Sequence, residues 1–300
     1  MSDKMKVGLI GVGLMGHGIG KNILKNGYPL SVLAHRNRKP VEDLVSQGAT
    51  EAKSAAELAA NCDVVILVVT GSPEVEDTVY RKGGLLEGMH DGLIIADCST
   101  AEPDSTLRVA ADIMAKGGRY VDTPMTRTPK EAATGNLGLM TGGDEATLAE
   151  IRPILDCFAD TIIYSGGIGA AHKLKLINNF IALGTAAVVS EAIATAVKGG
   201  VGMQALFDIV TAGGANSVMF ERLMKVPLAD DDSALQFAIN NGKKDLGYYS
   251  TMAQSQSSTA HIAQSIHQMF VMAGNNGYGE KFVPRMVDFM AEINGIKARK

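Results

Sequence analysis

KVGLIGVGLMGHGIG, residues 6–20, is the stretch whose reading decides the fold. An apolar run stops abruptly at Gly11-Val-Gly13-Leu-Met-Gly16, and the chain then carries a helical pattern over 15–26. Glycines at this spacing do three separate things. Gly11 permits a tight turn, Gly13 lets backbone approach a pyrophosphate, and Gly16 lets helix and strand pack closely. The helix N-terminus adds unpaired N–H donors and the positive end of its dipole. Leu14 and Met15 lie in the same turn, so Gly11, Gly13, Leu14, Met15 and Gly16 are the candidate dinucleotide contacts. A lone GxGxxG is a weak signal, but one that opens a βαβ unit is a strong one.

Working outward, apolar runs recur at 29–35, 64–69, 93–98, 119–124, 137–142 and 161–166. Helical patterns at 54–60, 104–116 and 144–157 separate several of them. The early runs are continuous, as in strands covered on both faces of a parallel sheet. Alternating elements of this kind predict an α/β Rossmann domain, doubly wound on a mostly parallel sheet, over residues 1–166. Beyond Gly169 the strand signal stops. Residues 171–199, 203–212, 216–224, 233–241, 245–257, 259–274 and 279–293 read as successive helices broken by glycines. The expectation for 167–300 is an all-helical domain serving substrate binding and dimerisation, in a homodimer or homotetramer.

Composition excludes several classes. A net charge of −4 over 300 residues gives nucleic acid no attraction. Cys62, Cys98 and Cys157 show no paired spacing, so neither a disulfide framework nor a zinc site is expected, and a reducing compartment is. The first strand begins within a few residues of Met1, leaving no room for a signal peptide, and a cytoplasmic protein is expected. Residues 180–197, FIALGTAAVVSEAIATAV, are apolar but carry Glu191. A helix buried on all sides, in a domain or at a dimer interface, is expected there, with no membrane partner.

The end of the second apolar run bears on cofactor choice. NAD sites place an acid there to accept from the ribose 2′-OH. This chain reads Ala34-His35-Arg36-Asn37-Arg38-Lys39. Arg36, Asn37 and Arg38 suit a 2′-phosphate, so NADP is expected, with NAD as the second choice. The competing reading is a solvated charged loop.

Four blocks in order now make the whole chain resemble the β-hydroxyacid dehydrogenases, the family of 3-hydroxyisobutyrate dehydrogenase. They are GVGLMGHGI (11–19); Asp97-Cys-Ser99-Thr100; Asp122-Thr-Pro124-Met-Thr126-Arg127-Thr128 with Ala133-Thr-Gly135 and Met140-Thr-Gly-Gly143; and Lys175-Leu-Ile-Asn178-Asn179 with Lys244-Asp245-Leu246. The resemblance implies that Lys175 is the general acid–base of hydride transfer, facing the nicotinamide across a cleft completed by the helical domain. It implies that Asn179, one turn on, holds the substrate hydroxyl or orients the amine, with Asn178 a second candidate. Ser99 and Thr126 would offer hydroxyls to the substrate, and Thr100, Val69, Thr70 and Lys244 would border the cofactor.

Two departures stand out. The family's S-G-G segment, which cradles the substrate carboxylate, is here Thr126-Arg127-Thr128. It is similar to the segment of the 3-sulfolactaldehyde reductases, where Arg and Thr are associated with the sulfonate. This implies that Arg127 and Thr128 bind an anionic end, against the plainer reading of an exposed loop cation. Val69-Thr70-Gly71 also replaces the usual L-P-N.

His261 and His267, six apart, do not share a helix face for a metal, and His172, which could line the cleft, has no Asp or Cys partner and reads as a surface residue. Met269, Met272, Met286 and Met290 read as core. No metal site is expected. The function expected is NADP(H)-preferring interconversion of a small anionic β-hydroxy acid and its semialdehyde, in the reductive direction, with a sulfonate as one candidate substrate group. The alternatives are an NAD-linked oxidative dehydrogenase and a silent dinucleotide-binding module, which has no use for Lys175.

Overall fold

The computed structural model describes residues 4–298. It divides into two compact units, Met1–Lys175 and Leu176–Lys300. The first unit alternates strand and helix: β1 (Val7–Ile10), α1 (Leu14–Lys25), β2 (Leu30–Leu33), α2 (Lys39–Ser46), β3 (Thr50–Ala52), α3 (Ala55–Asn61), β4 (Val64–Leu67), α4 (Ser72–Tyr80), β5 (Ile94–Asp97), α5 (Pro103–Ala115) and β6 (Arg119–Asp122). Then follow β7 (Met125–Thr126), α6 (Pro129–Thr134), β8 (Leu137–Gly142), α7 (Glu145–Leu155) and β9 (Ala159–Gly166). Among the described residues these nine strands form one sheet in the order β3-β2-β1-β4-β5-β6-β8-β7, with β9 also on β8. The six strands from β3 to β6 are parallel, while β8 runs antiparallel to β6 and β7, and β9 is parallel to β8.

Continuous apolar runs make sense on such a sheet, because successive side chains enter opposite cores. Val64 and Ile66 of β4 pack with Ile19 and Ile23 of α1, whereas Val65 and Leu67 pack with Leu58 of α3, Val79 of α4 and Val109 of α5. Each fully buried aliphatic of this kind contributes roughly 1.5–3 kcal/mol. Helices α1 and α6 touch through small residues. A Cβ on Gly18 would lie 2.6 Å from the Ala132 carbonyl carbon. Buried beside it, Asn22 Nδ2 donates to the carbonyls of Gly18 and Ala132, both at 2.9 Å.

Helix α8 (Ala170–Lys198) begins in the first unit and continues into the second. There follow α9 (Met203–Thr211), α10 (Val218–Ala229), α11 (Ile239–Ser255), α12 (His261–Ala273) and α13 (Met286–Ile293). Their core gathers Leu183, Leu223, Phe270, Met286 and Phe289.

Several expectations need correction in this unit: α11 runs unbroken through the gap expected at 242–244, and the helix expected from 279 starts only at Met286, after a single 3-10 turn at Val283–Arg285. Residues 233–238 are not helical, and Ala238 instead bridges Phe282 in extended form. The three aspartates before them prevent a helix: Asp230 is left-handed, Asp231 accepts from the Ser233 amide, and Asp230 and Asp232 pair with Arg285. Helix α10 runs past residue 224 through Pro227 to Ala229. Helix α8 is long and apolar enough to cross a membrane, by length and composition. Within the single chain it is partly buried, with Ile181 and Val188 exposed, so of the two expected settings the domain covers one part of it and a dimer interface is the one that would cover the rest.

Candidate active site

The parallel register sets Ile10, Leu67, Asp97 and Asp122 in one row across β1, β4, β5 and β6. The loops that leave these residues therefore share the carboxyl edge of the sheet, where open α/β sheets bind ligands. At the first loop, Gly11 has φ 99°, and a Cβ there would meet the Val68 carbonyl oxygen at 2.1 Å. A Cβ on Gly16 would come equally close to the Gly11 carbonyl oxygen. Gly13 differs: nothing lies within 4 Å of its Cβ position, so its bare side is open. It is also the N-cap of α1, with no side-chain cap, and Leu14 beside it is 70% exposed while Met15 is half-buried. An uncapped helix start with an open glycine face fits a pyrophosphate, whose oxygens would take the unpaired amides.

The loop after β2 is exposed throughout Arg36, Asn37 and Arg38. Arg38 is held on two sides, by Glu51 of β3 at 3.0 Å and Glu42 of α2 at 3.4 Å. Asn37 accepts from the Lys39 amide at 3.3 Å. Among the described residues Arg36 has no ion pair or hydrogen bond. Glu51 is a carboxylate that reading along the chain missed, because parallel pairing of β2 and β3 brings it close.

After β5, Asp97 is fully buried and accepts from the Ser99 amide at 2.9 Å and the Tyr120 hydroxyl at 2.8 Å. Burial and this carboxylate push the Tyr120 phenol well above its usual range. The Ser99 hydroxyl accepts from the Val69 amide at 3.1 Å, tying the loop after β5 to the loop after β4. Thr70 is exposed and Thr100 half-buried, each next to that tie.

All three side chains of Thr126–Thr128 fasten their own loop. Thr126 donates to the Gly138 carbonyl at 3.3 Å. Thr128 is the N-cap of α6: its hydroxyl donates to Glu131 at 2.5 Å and accepts from the Lys130 amide at 3.3 Å, while its amide donates to Glu131 at 3.0 Å. Arg127, expected to meet a substrate anion, is instead committed to Asp160, with Nη1 2.7 Å from each carboxylate oxygen. It also donates to the Asn136 carbonyl and, at 3.1 Å, to the Thr161 hydroxyl.

Lys175 is half-buried in the second turn of α8. The start of that helix is set by Asp122, fully buried at the end of β6. Its two oxygens accept from the Gly169 amide at 2.8 Å and the His172 amide at 2.9 Å. His172 is not the surface residue expected. Its ring is fully buried, with Nδ1 2.7 Å from the Thr106 hydroxyl and Nε2 3.2 Å from the Ser99 carbonyl. One imidazole thus bridges α5, the loop after β5 and α8. No signal in the sequence distinguished it.

In the second unit Asn179 is buried and donates to Asp245 of α11 at 2.6 Å, while accepting from Asn178 at 3.2 Å. Asp245 is also 2.9 Å from Lys244 Nζ, which lies over the Tyr248 ring at 5.0 Å. The Asn179 amide is therefore spent on helix-to-helix bonding. Asp245 stood beside Lys244 in the sequence, but its role shows only in the fold.

The structure thus groups the glycine turn, Val69–Thr70, Ser99–Thr100 and Thr126–Thr128 on one unit, with Lys175 on a firmly capped helix. It groups Asn178, Asn179, Lys244 and Asp245 on the other. The NAD binding domain of 6-phosphogluconate dehydrogenase matches residues 6–166. The NAD-binding domain of NADP-dependent 3-hydroxyisobutyrate dehydrogenase matches residues 169–289. The chain is 30% identical to glyoxylate/succinic semialdehyde reductase 1 of Arabidopsis thaliana, over 98% of this chain and 99% of that one. It is 27% identical to 3-sulfolactaldehyde reductase of Escherichia coli, over 92% of each. A crystal structure of 3-hydroxyisobutyrate dehydrogenase from Salmonella typhimurium superposes with a TM-score of 0.84 at 27% identity, covering 95% of this chain and 100% of that one.

Proposed function

This chain belongs to the β-hydroxyacid dehydrogenase family and is an NAD(P)-dependent oxidoreductase of small hydroxy acids or semialdehydes, and we propose that it works as an NADPH-preferring reductase of an anionic semialdehyde. The observation that carries the proposal is Lys175 on a helix whose first turn is held by a buried carboxylate. A silent module gains nothing from fixing that lysine. Bound NADPH supplies the hydride to the carbonyl carbon. Lys175 then gives a proton to the carbonyl oxygen, so the product is the alcohol and the lysine leaves neutral, to be reprotonated from solvent.

The other roles are assigned on the same reading. Gly11, Gly13, Leu14, Met15 and Gly16 hold the pyrophosphate, and Arg36 takes the 2′-phosphate. Val69, Thr70, Thr100 and Lys244 border the dinucleotide. Ser99 and Asn178 orient the substrate oxygen and the lysine, with Asn179 acting through Asn178 because its own amide is bonded to Asp245. The Thr126–Thr128 segment receives the anionic end through its backbone, since the three side chains are occupied. The small ionised aldehydes with carboxylate or sulfonate groups that this admits include glyoxylate and succinic semialdehyde, the substrates named for the Arabidopsis relative.

One observation favours a second reading. Arg38 is already held by Glu42 and Glu51, which withdraws one of the loop's three cations from a phosphate and suits an NAD-linked enzyme working oxidatively. Cofactor oxidation by the purified chain decides between them, using NADPH and NADH with glyoxylate, succinic semialdehyde and 3-sulfolactaldehyde. Equal rates with both cofactors would sink the NADPH preference, and no turnover on any aldehyde would return the silent module.

We also take the working unit to be a homodimer or homotetramer. Ile177, Ile181 and Val188 lie on one stripe of α8 and are exposed, a face that a second copy would cover. Light scattering on the eluting protein tests it.

A further inference from the structure

Two irregular points of backbone face each other beside the Thr126–Thr128 segment. In β9 the register against β8 jumps from Leu137↔Ala159 to Gly138↔Thr161, leaving Asp160 as the extra residue of a bulge. Bulges re-aim side chains, and this one turns a carboxylate toward the end of β7. Across from it, Arg127 has φ 78°, the left-handed region that glycine enters freely and residues with a Cβ avoid. One ion pair joins the two. Nη1 is 2.7 Å from both carboxylate oxygens, Nη2 is 3.1 Å from Thr161 Oγ, and Asn136 Nδ2 donates to the same carboxylate at 3.3 Å.

The pair is about three-fifths buried, with side-chain exposures of 38% and 40%, so it is not a deep electrostatic contact. Its geometry matters more than its strength. An arginine in a left-handed conformation needs something to keep it there, and one guanidinium nitrogen shared between both carboxylate oxygens of a fixed bulge, with the other on Thr161, provides it.

We propose that Asp160 is a positioning residue for the substrate segment: it holds Arg127 in a glycine-like conformation, so that the backbone of Thr126–Thr128 keeps the shape that receives the substrate's anion. The proposal rests on the reading of Thr126–Thr128 as the substrate segment. The arginine side chain then acts inward, on its own loop, and the guanidinium is not the substrate's counter-ion.

The two roles for Arg127 predict opposite signs. Asp160→Ala and Asp160→Asn remove the support. As a latch, Asp160 should be missed: KM for glyoxylate and succinic semialdehyde with NADPH should rise about tenfold in both variants, with kcat changing less, because a non-glycine residue left unsupported abandons the left-handed region by roughly that factor. Arg127→Gly added to Asp160→Ala should bring KM back to within about threefold of wild type, since glycine needs no support. Hydrogen exchange of the peptide spanning 124–136, read by mass spectrometry, should quicken in the single variants and slow again in the double.

If the guanidinium instead binds the substrate, freeing it from Asp160 should lower KM, and the double variant should be worse than the single. Either result overturns the proposal. Unchanged exchange in Asp160→Ala also overturns it, because then no latch exists. Quicker exchange with KM unchanged for both aldehydes means that the loop is latched but is not the substrate segment, and the reading beneath the proposal fails.

Discussion

Asp122 and His172 meet in a single buried hydrogen bond, the β6 carboxylate accepting the first-turn amide of α8 at 2.9 Å. With the Gly169 amide on its other oxygen, Asp122 satisfies two of the orphan donors of the helix that carries Lys175. Asp122→Asn replaces one acceptor with a donor facing a donor. The expected cost is about 1–3 kcal/mol of stability. Urea denaturation measures that cost. kcat should fall more than KM rises, because the lysine loses its fixed place. Wild-type kcat in a folded Asp122→Asn protein would remove the cap from the catalytic account.

Lys175→Ala should lower kcat by about 10²–10⁴-fold, the range for one acid–base group, while NADPH binding followed by cofactor fluorescence stays near wild type. A variant that keeps more than a tenth of the wild-type kcat would move the proton transfer elsewhere.

The two loop arginines should separate. Arg36→Ala should weaken NADPH by about tenfold and leave NADH nearly unchanged, the loss of one charge-assisted contact. Arg38→Ala should do less, because its guanidinium is occupied by Glu42 and Glu51. Titration of each variant with both cofactors checks the order, and a larger effect at Arg38 would reverse the assignment.

Asp160 provides a pH test. Hydrogen bonding to Arg127, then to Thr161, pulls its carboxyl from 3.8 to about 2. A carboxylate whose pKa is depressed by folding contributes stability above its unfolded value and loses it as pH falls through the folded one. The latch should therefore be complete from neutral pH down to about 4 and open between there and about 2. Carbon NMR of the Asp160 carboxyl follows this, and Arg127→Gly should move the midpoint back toward 3.8. A midpoint unmoved by that substitution would mean that the ion pair does not set the shift.

The Rossmann half was legible because its signals are local. Glycine spacing after β1 and continuous apolar runs report directly on the turn and on burial of both faces. The helical half was legible in outline, yet residues 233–238 failed where consecutive aspartates capped and turned the chain instead of continuing a helix. For the candidate site, Lys175, Ser99 and the Thr126–Thr128 segment are proposed from ordered blocks of sequence. What could not be read were partners distant in sequence. Glu51 reaches Arg38 across two parallel strands, Asp160 reaches Arg127 through a bulge, and His172 is buried by contacts to Thr106 and Ser99. Each depends on register, which periodicity does not specify.

Asn22 has a consequence for how ligands meet this protein. It stands on α1, whose start is assigned to the pyrophosphate, and it binds α6, which follows directly from the substrate segment. At Gly18 the two helices are in direct backbone contact, where an added Cβ would lie 2.6 Å from the Ala132 carbonyl carbon. On the proposed roles, the distance between the place for the cofactor and the place for the anion is settled as the chain folds, before either arrives. Binding does not have to order one relative to the other, and the conformational entropy of that step has already been removed.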